Sequence, residues 1–315
     1  MAPHEEQEVD TKSEHSGQSE TRERITRAAT SLRAALLARM PGEGIWPTAI
    51  PGVFMARRDH AGISEHRFDQ PLASLLVQGR KDTLFGAEEF TLTENQLLLV
   101  GMDMPSSAHI LEATPERPLL TLFFHINRQM VADLILQLGW KERPMAHAPG
   151  ISVADAGPDL METLLRLTRL LDAPEQIPVR GELALKDLHY LLLTGPQGDV
   201  LHAIYGSGRY GRQLFAAIDY LRAHLDAPVS LAELARAVFM SESTLYRYFK
   251  TLTGLSPLQY YKQLRLHEAR RLILEENEQA VLAAARVGYG SPQQFSRDYK
   301  RLFGQPPLKS RKYRQ

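Results

Sequence analysis

Two arginines, Arg247 and Arg297, stand 50 residues apart in the same slot of a repeated segment. A guanidinium is a planar fork of N–H donors that matches the O6/N7 edge of guanine. Around the first lie Glu242, Ser243 and Tyr246; around the second lie Pro292, Gln293, Gln294 and Ser296. Glutamine forks onto adenine, and glutamate accepts from cytosine. Lys250, Lys300 and Arg301 follow and suit phosphate oxygens, which position a protein on a duplex without reading its sequence. Together these residue types could read base edges directly. For one such segment, solvated helix surface is an equally good reading. A second copy with its arginine in the same slot weighs against it.

The elements that must hold these residues are legible. Residues 231–257 (LAELARAVFMSESTLYRYFKTLTGLSP) and 281–307 (VLAAARVGYGSPQQFSRDYKRLFGQPP) are identical at eight of 27 positions, Ala235/Ala285 and Arg236/Arg286 among them. Each copy reads as a short helix, a tight turn and a longer helix, the pattern of a helix-turn-helix. Leu231, Leu234, Ala235 and Val238 form the apolar face of the first short helix. Val281, Ala284, Ala285 and Gly288 are expected to form that of the second. Gly288 suits a left-handed turn; Val238 stands in its place in copy one, so that turn must be built differently. Ser241 and Ser291 sit where N-caps belong, and Gly254 and Gly304 where C-caps belong. Leu245 and Phe249, then Phe295, Tyr299 and Leu302, are the expected buried residues of the longer helices. Between the copies, residues 258–276 predict one amphipathic helix through Leu258, Tyr261, Leu264, Ala269, Leu272 and Ile273. Such a spacer would set the two heads about one helical turn, roughly 10 bp, apart.

Residues 210–315 resemble the DNA-binding domain of the AraC/XylS family of bacterial transcription regulators. LSPLQYYKQLRLHEARRLI and VGYGSPQQFSRDYKRLFGQPP carry the resemblance. It implies seven helices and two helix-turn-helix units in adjacent major grooves. The family's base-reading slots fall on Ser243, Tyr246 and Arg247, and on Pro292, Gln293, Gln294, Ser296 and Arg297. The chain departs from the pattern at PPLKSRKY, where an aromatic residue usually precedes the arginine.

The chain is neutral, with 37 basic and 37 acidic residues, but from 209 onward it holds 18 Lys/Arg against nine Asp/Glu. The preceding residues are correspondingly acidic. A basic module joined to an acidic one fits a DNA binder with a separate domain for something else. With no cysteine, disulfides, thiolate metal sites and cysteine-based sensing are excluded. No apolar run approaches the roughly 18 residues of a membrane span. The polar, acidic start (MAPHEEQEVDTKSEHSGQSE) is unlike a signal peptide. Residues 1–22 are expected to be disordered and the protein cytoplasmic.

Residues 23–40 predict an amphipathic helix ended by Pro41-Gly42. Then short apolar runs alternate with turn signals: VFMARRDH, LASLLVQG, DTLFG, EFTLT, QLLLVG, AHILEA and LLTLFFHIN. That texture predicts an antiparallel barrel or sandwich. Helical periods return at 128–139, 158–172 and 180–194, and the last two are leucine-rich enough to suggest a homodimer interface as well as core. Residues 43–127 resemble the N-terminal domain of one AraC branch, through GIWPTAIPGVFMARR, PLASLLVQGRKDTLFGAEEFTLTENQLLLV and RPLLTLFFHIN. The resemblance implies a cupin-like β-barrel that senses something, followed by helices.

The expected class is thus α+β multidomain: a cupin-like antiparallel β-barrel with flanking helices, and a C-terminal all-α domain with two helix-turn-helix units. The boundaries read as a tail 1–22, a sensor barrel with leading helix 23–127, a helical dimerisation region 128–200, a linker 201–208 and a DNA-binding domain 209–315. Tyr205-Gly206-Ser207-Gly208 would serve as hinge.

Strand alternation makes Phe54, Leu76, Gln78, Phe85, Phe90, Leu98, Phe123 and His125 candidates to line the barrel. Each aromatic there is more simply core. Gln78 and His125, if buried, need partners that an effector could supply, so Phe54, Gln78, Phe85, Phe123 and His125 are the effector-pocket candidates. His60, His66, His109 and His125 are isolated, with no H-x-H, so neither metal nor cofactor is expected. The reading is a regulator of double-stranded DNA, with a small-molecule effector and RNA polymerase as partners and no catalytic residues. A metal cupin enzyme fused to a DNA-binding domain, or a barrel that only dimerises or contacts proteins, are the alternatives. Metal analysis and ligand-dependent melting separate them.

Overall fold

The computed structural model describes residues 5–86, 88–141, 150–206 and 209–310. The chain opens with helix α1 (Glu5–Arg39), followed by β1 (Gly44–Pro47), β2 (Val53–Arg58), β3 (Ser64–Asp69), β4 (Leu72–Gln78), β5 (Arg80–Phe85), β6 (Glu88–Leu92), β7 (Gln96–Val100), β8 (Met104–Glu112) and β9 (Leu119–His125). Next come α2 (Arg128–Gln137), β10 (Ile151–Asp155), α3 (Pro158–Arg169), α4 (Glu182–Thr194) and α5 (Gly198–Tyr205). The basic half holds α6 (Arg209–Ala223), α7 (Leu231–Ala237), α8 (Glu242–Thr253), α9 (Pro257–Leu274), α10 (Ala280–Arg286), α11 (Pro292–Phe303) and α12 (Pro307–Ser310).

The strands form two antiparallel sheets, ordered β1-β2-β9-β4-β7-β10 and β3-β8-β5-β6. β4 is the apolar run LASLLVQ and is buried along its whole length between β7 and β9. Gly79 turns the chain into β5 at φ 95°, and a Cβ there would lie 2.8 Å from the Glu112 carbonyl oxygen, so only glycine fits.

α1 buries Ala28, Ala29, Leu32 and Leu36 and runs along α3. Arg24 donates to Asp159 at 2.7 Å and to Glu162 at 2.9 Å. The helix begins at Glu5, inside the stretch expected to be disordered. Gly17, Ser19 and Glu20 are exposed, so the polar residues there do not build a core. A helix already nucleated by its docked end extends outward at little cost, which a composition argument overlooks.

The helices expected at 128–139, 158–172 and 180–194 are present as α2, α3 and α4. The region also contributes β10, which adds to the edge of the six-stranded sheet beside β7. The expected linker 201–208 is largely helix. Leu201, His202, Ala203 and Ile204 of α5 are buried, and Tyr205 donates to the Gly101 carbonyl at 2.7 Å. Ser207 and Gly208 of the expected hinge lie outside the described residues.

The hydrophobic core does not stop at this connection. One continuous cluster runs from the sheets through Leu201 and Leu214 to Leu234, Leu245, Phe249, Tyr260 and Leu264. A second, separate cluster joins the far end of α9 (Leu266, Leu272, Ile273) to Ala283, Phe295, Tyr299 and Phe303. The first helix-turn-helix therefore shares a core with the sheets, and the second has its own.

Candidate functional site

Both longer helices are capped as their sequences require. The Ser241 hydroxyl accepts from Thr244 N and the Ser291 hydroxyl from Gln294 N. Gly254 and Gly304 close the helices at φ 70° and 74°. Leu245, Phe249 and Leu252 are buried in α8, and Phe295, Tyr299 and Phe303 in α11. Leu302, expected inside, is only partly buried; Phe303 takes the core position. Leu258 of the connecting helix is exposed too, and Tyr260 carries that face.

Every candidate reading residue is exposed: Glu242, Ser243, Tyr246 and Arg247 on α8, and Pro292, Gln293, Gln294, Ser296 and Arg297 on α11. Lys250, Lys300 and Arg301 are exposed nearer the helix C-termini. The Arg247 guanidinium lies 5.0 Å from the Tyr248 ring centroid, and that ring lies 4.8 Å from Tyr210 of α6. Such a stack limits how far Arg247 sweeps. Neither tyrosine stood out in the sequence. Asp298, buried on the inner face of α11, pairs with Lys262 of α9 at 2.7 Å and holds the second unit to the connecting helix.

The expectation that the Val238/Gly288 mismatch makes the first turn different is not met. Val238, Phe239 and Met240 donate to the carbonyls of Leu234, Arg236 and Ala235 just as Val287, Gly288 and Tyr289 donate to those of Ala283, Ala285 and Ala284, and the mismatch arises because the repeat is not in one register. The residues buried in α7 and after it are Leu234, Ala235 and Val238; those of α10 are Ala283, Ala284 and Val287. The offset is 49 in the short helices and 50 from the N-cap serines onward. The matches Ala235/Ala285 and Arg236/Arg286 are therefore not structural equivalents, and Val281 and Ala285, expected inside, are exposed. In copy two the left-handed residue is Gly288 at φ 71°, where a Cβ would lie 2.7 Å from the Asp226 carbonyl. In copy one it is Phe239 at φ 55°, with its side chain in solvent. Gln213 of α6 donates to the carbonyls of Val238 and Phe239 at 2.9 and 3.0 Å and so fixes this turn.

Several contacts tie the reading half to the sheets. Asp103, between β7 and β8, accepts from Arg128 of α2 at 2.6 Å and from Arg222 of α6 at 2.7 Å. Its carbonyl accepts from Tyr260 of α9 at 2.8 Å. Gly150 N donates to the Leu252 carbonyl at the end of α8. Arg270 of α9 donates to the His66 carbonyl, and His66 meets Phe303 of α11 edge-on.

Between the sheets and these helices lies a cavity of about 1020 Å³. Phe54, Leu98, Phe123 and His125 line it, as expected from strand alternation. Phe54 stacks on Phe123 with centroids 5.1 Å apart. Gln78 and Phe85 do not line it. A register shift between Leu76 and Gln78 interrupts the alternation, and Gln78 Nε2 donates to the Pro118 carbonyl at 2.7 Å, so the chain satisfies it. Phe85 is buried against Phe90; neither lines the cavity, and nor does Leu76.

The charged part of the wall went unread in the sequence. Arg58, Glu65, Arg67, Asp69 and Lys81 all face the cavity. Alternation along RKDTLF puts Lys81 and Thr83 on one face, which was the available signal. Arg58 and Arg67 both donate to Glu65, the latter at 2.6 Å. Burial raises the Glu65 pKa, but Arg67 and Arg58 outweigh it and hold the carboxyl below its usual range. Burial pushes Asp69 up. Burial, then Arg67, pushes Lys81 down to about 8. The opposite wall belongs to the reading half, through Arg222, Leu225, Leu264, His267 and Arg270. Among the described residues no cluster of three metal-ligating side chains occurs, and no helix is long and apolar enough to cross a membrane.

Two family profiles match the chain: "AraC-type transcriptional regulator N-terminus" over residues 49–200 and "Helix-turn-helix domain" over 234–313. The probable transcriptional regulator LumQ of Photobacterium leiognathi is 34% identical over 91 residues, 29% of this chain. That match spans only 37% of LumQ. The transcriptional activator RhaS of Pectobacterium carotovorum is 25% identical over 261 residues, covering 80% of this chain and 88% of RhaS. Among solved structures, ToxT of Vibrio cholerae bound to an unsaturated fatty acid superposes with a TM-score of 0.55 at 12% identity, covering 82% of this chain and 92% of ToxT.

Proposed function

This chain belongs to the AraC/XylS family of transcription regulators, and on that premise we propose that it reads a two-box DNA site under the control of a small-molecule effector. α8 reads one box through Glu242, Ser243, Tyr246 and Arg247. α11 reads the other through Pro292, Gln293, Gln294, Ser296 and Arg297. Lys250, Lys300 and Arg301 contact phosphate. The observation that carries this reading is that two identically capped helices expose their polar faces while their apolar faces are buried.

The effector site is the cavity between the sheets and the reading half, lined by Phe54, Phe123 and His125. The fatty acid named with ToxT supports a small-molecule ligand in this fold. An effector touching both walls has a direct means of favouring one arrangement of the halves over another, which is all that coupling requires.

The protein acts in the cytoplasm as a homodimer and contacts RNA polymerase. Val179, Leu183 and Tyr190 form an exposed apolar stripe at the start and along the outer face of α4, and this supports the dimer. Leu183→Glu should yield a monomer in sedimentation; a surviving dimer would move the interface elsewhere.

Selection of binding sites from a random duplex library tests the whole reading. Two boxes about 10 bp apart are expected. A single box would leave one helix-turn-helix structural. No enrichment by either the full chain or residues 209–315 would remove the reading.

A further inference from the structure

One cation on the cavity wall is unpaired. Lys81 is partly buried and lines the cavity, and burial pushes its pKa down to about 8. Among the described residues its ammonium makes no hydrogen bond and no ion pair. The charges around it do not balance either. Glu65 is shared by Arg58 and Arg67. Asp69 takes the Ser106 hydroxyl and is pushed by burial toward its neutral form. On the strands of the wall, three cations (Arg58, Arg67 and Lys81) therefore face two acids, one of them already divided between two arginines. A partly buried, unpaired ammonium is costly unless something completes it.

The other cations nearby are engaged. Arg222 is held by Asp103, Arg270 by the His66 carbonyl and the Phe303 ring, and Arg271 by Glu268 and Glu276. His66 and His125 are shifted down by burial, toward the neutral form. On the six-stranded sheet, which lines the same cavity, Phe54, Phe123 and Leu98 offer an apolar surface.

We infer that this end of the cavity is an anion subsite, in which Lys81 receives the carboxylate of a small organic acid whose apolar body lies on Phe54, Phe123 and Leu98. The inference rests on the reading of the cavity as the effector site and names the class of effector. The carboxylate completes the charge cluster with a charge-assisted hydrogen bond, and the aromatic pair selects against small polar anions.

Thermal unfolding of the full-length protein tests it, with 4-phenylbutanoate and the neutral 4-phenylbutanamide as probes. The acid should raise the melting temperature and the amide, at equal concentration, should not. Lys81→Met should weaken the response to the acid by roughly tenfold or more, and Lys81→Arg should retain it. Without any probe, Lys81→Met should itself melt higher than the parent, because it removes an unpaired, partly buried charge. A lower melting temperature for probe-free Lys81→Met, with Lys81→Gln behaving likewise, would mean that Lys81 is structurally paired and would overturn the inference. Equal shifts by acid and amide would also overturn it while leaving the cavity a ligand site. No shift from either probe overturns it as well. The effector reading itself fails only if a wider metabolite library also leaves the melting temperature unmoved, and site selection on DNA is independent of every arm.

Discussion

The Arg222 guanidinium of α6 donates to Asp103 Oδ1 at 2.7 Å, and the other carboxylate oxygen takes Arg128 of α2 at 2.6 Å. One nearly inaccessible carboxylate thus joins the helix that opens the reading half to the helix that follows the strands. Asp103→Asn should cost about 2–3 kcal/mol, less than the usual cost of breaking a fully buried pair, since both arginines are more than a third exposed. Amide hydrogens of α6 and α9 should exchange faster in this variant. Unchanged exchange there would mean that the shared core alone holds the halves together.

Arg247→Ala and Arg297→Ala should each relax preference at one box, costing roughly 1–3 kcal/mol on the preferred site and little on others. Anisotropy titrations against single-base variants measure this. Uniform loss on every sequence would reassign both arginines to phosphate. Lys250→Ala is the control: it should weaken binding on all sequences and reduce the salt slope by about one.

Phe239 holds a left-handed backbone with its ring in solvent, a conformation that costs a non-glycine residue roughly 1–2 kcal/mol. Phe239→Asn keeps the turn with a residue that tolerates it, and should stabilise the protein by about 0.5–1 kcal/mol in urea unfolding. Gln213→Ala should do the reverse. A destabilised Phe239→Asn would show that the ring packs on something in solution.

His267 faces Arg270 and His66, and burial, then Arg270, pushes it down to about 3 from an ordinary 6.5. The unfolded chain therefore binds a proton that the folded one refuses. Stability from this group is complete above about pH 6.5 and is lost as pH falls toward 3. The loss between neutral pH and pH 4 should be on the order of 3 kcal/mol. His267→Gln should flatten that part of the pH–stability curve; an unchanged slope would place the titrating group elsewhere.

What could be read without coordinates was local chemistry. Ser241, Ser291, Gly254 and Gly304 do their work within one turn, and each sits where its residue type implies. Strands bounded by Gly79 or Asn95 were legible for the same reason. The misreadings come from tertiary packing. Gly206, Ser207 and Gly208 drew a linker around residues whose apolar side chains belong to the core. Identity at Ala285 and Arg286 concealed a burial pattern shifted by one residue. Lys81 drew no reading, because alternation puts it on one face with Thr83 but does not say which face is in. Gln78 followed the alternation until a register shift that its own residue type does not announce.

The extra residue carried by the second turn bears on how the two units could be exchanged. One residue of helix is about 100° of rotation. A chimera cut by sequence identity across Ala235 and Ala285 would deliver its transplanted helix rotated by that angle, with its apolar side chains aimed at water. Joining the segments at Ser241 and Ser291 avoids this, because only beyond those serines do the copies share a phase. The same insertion frees the two heads from presenting one face at one angle, so the boxes they select need be neither identical in sequence nor related by a simple translation along the duplex.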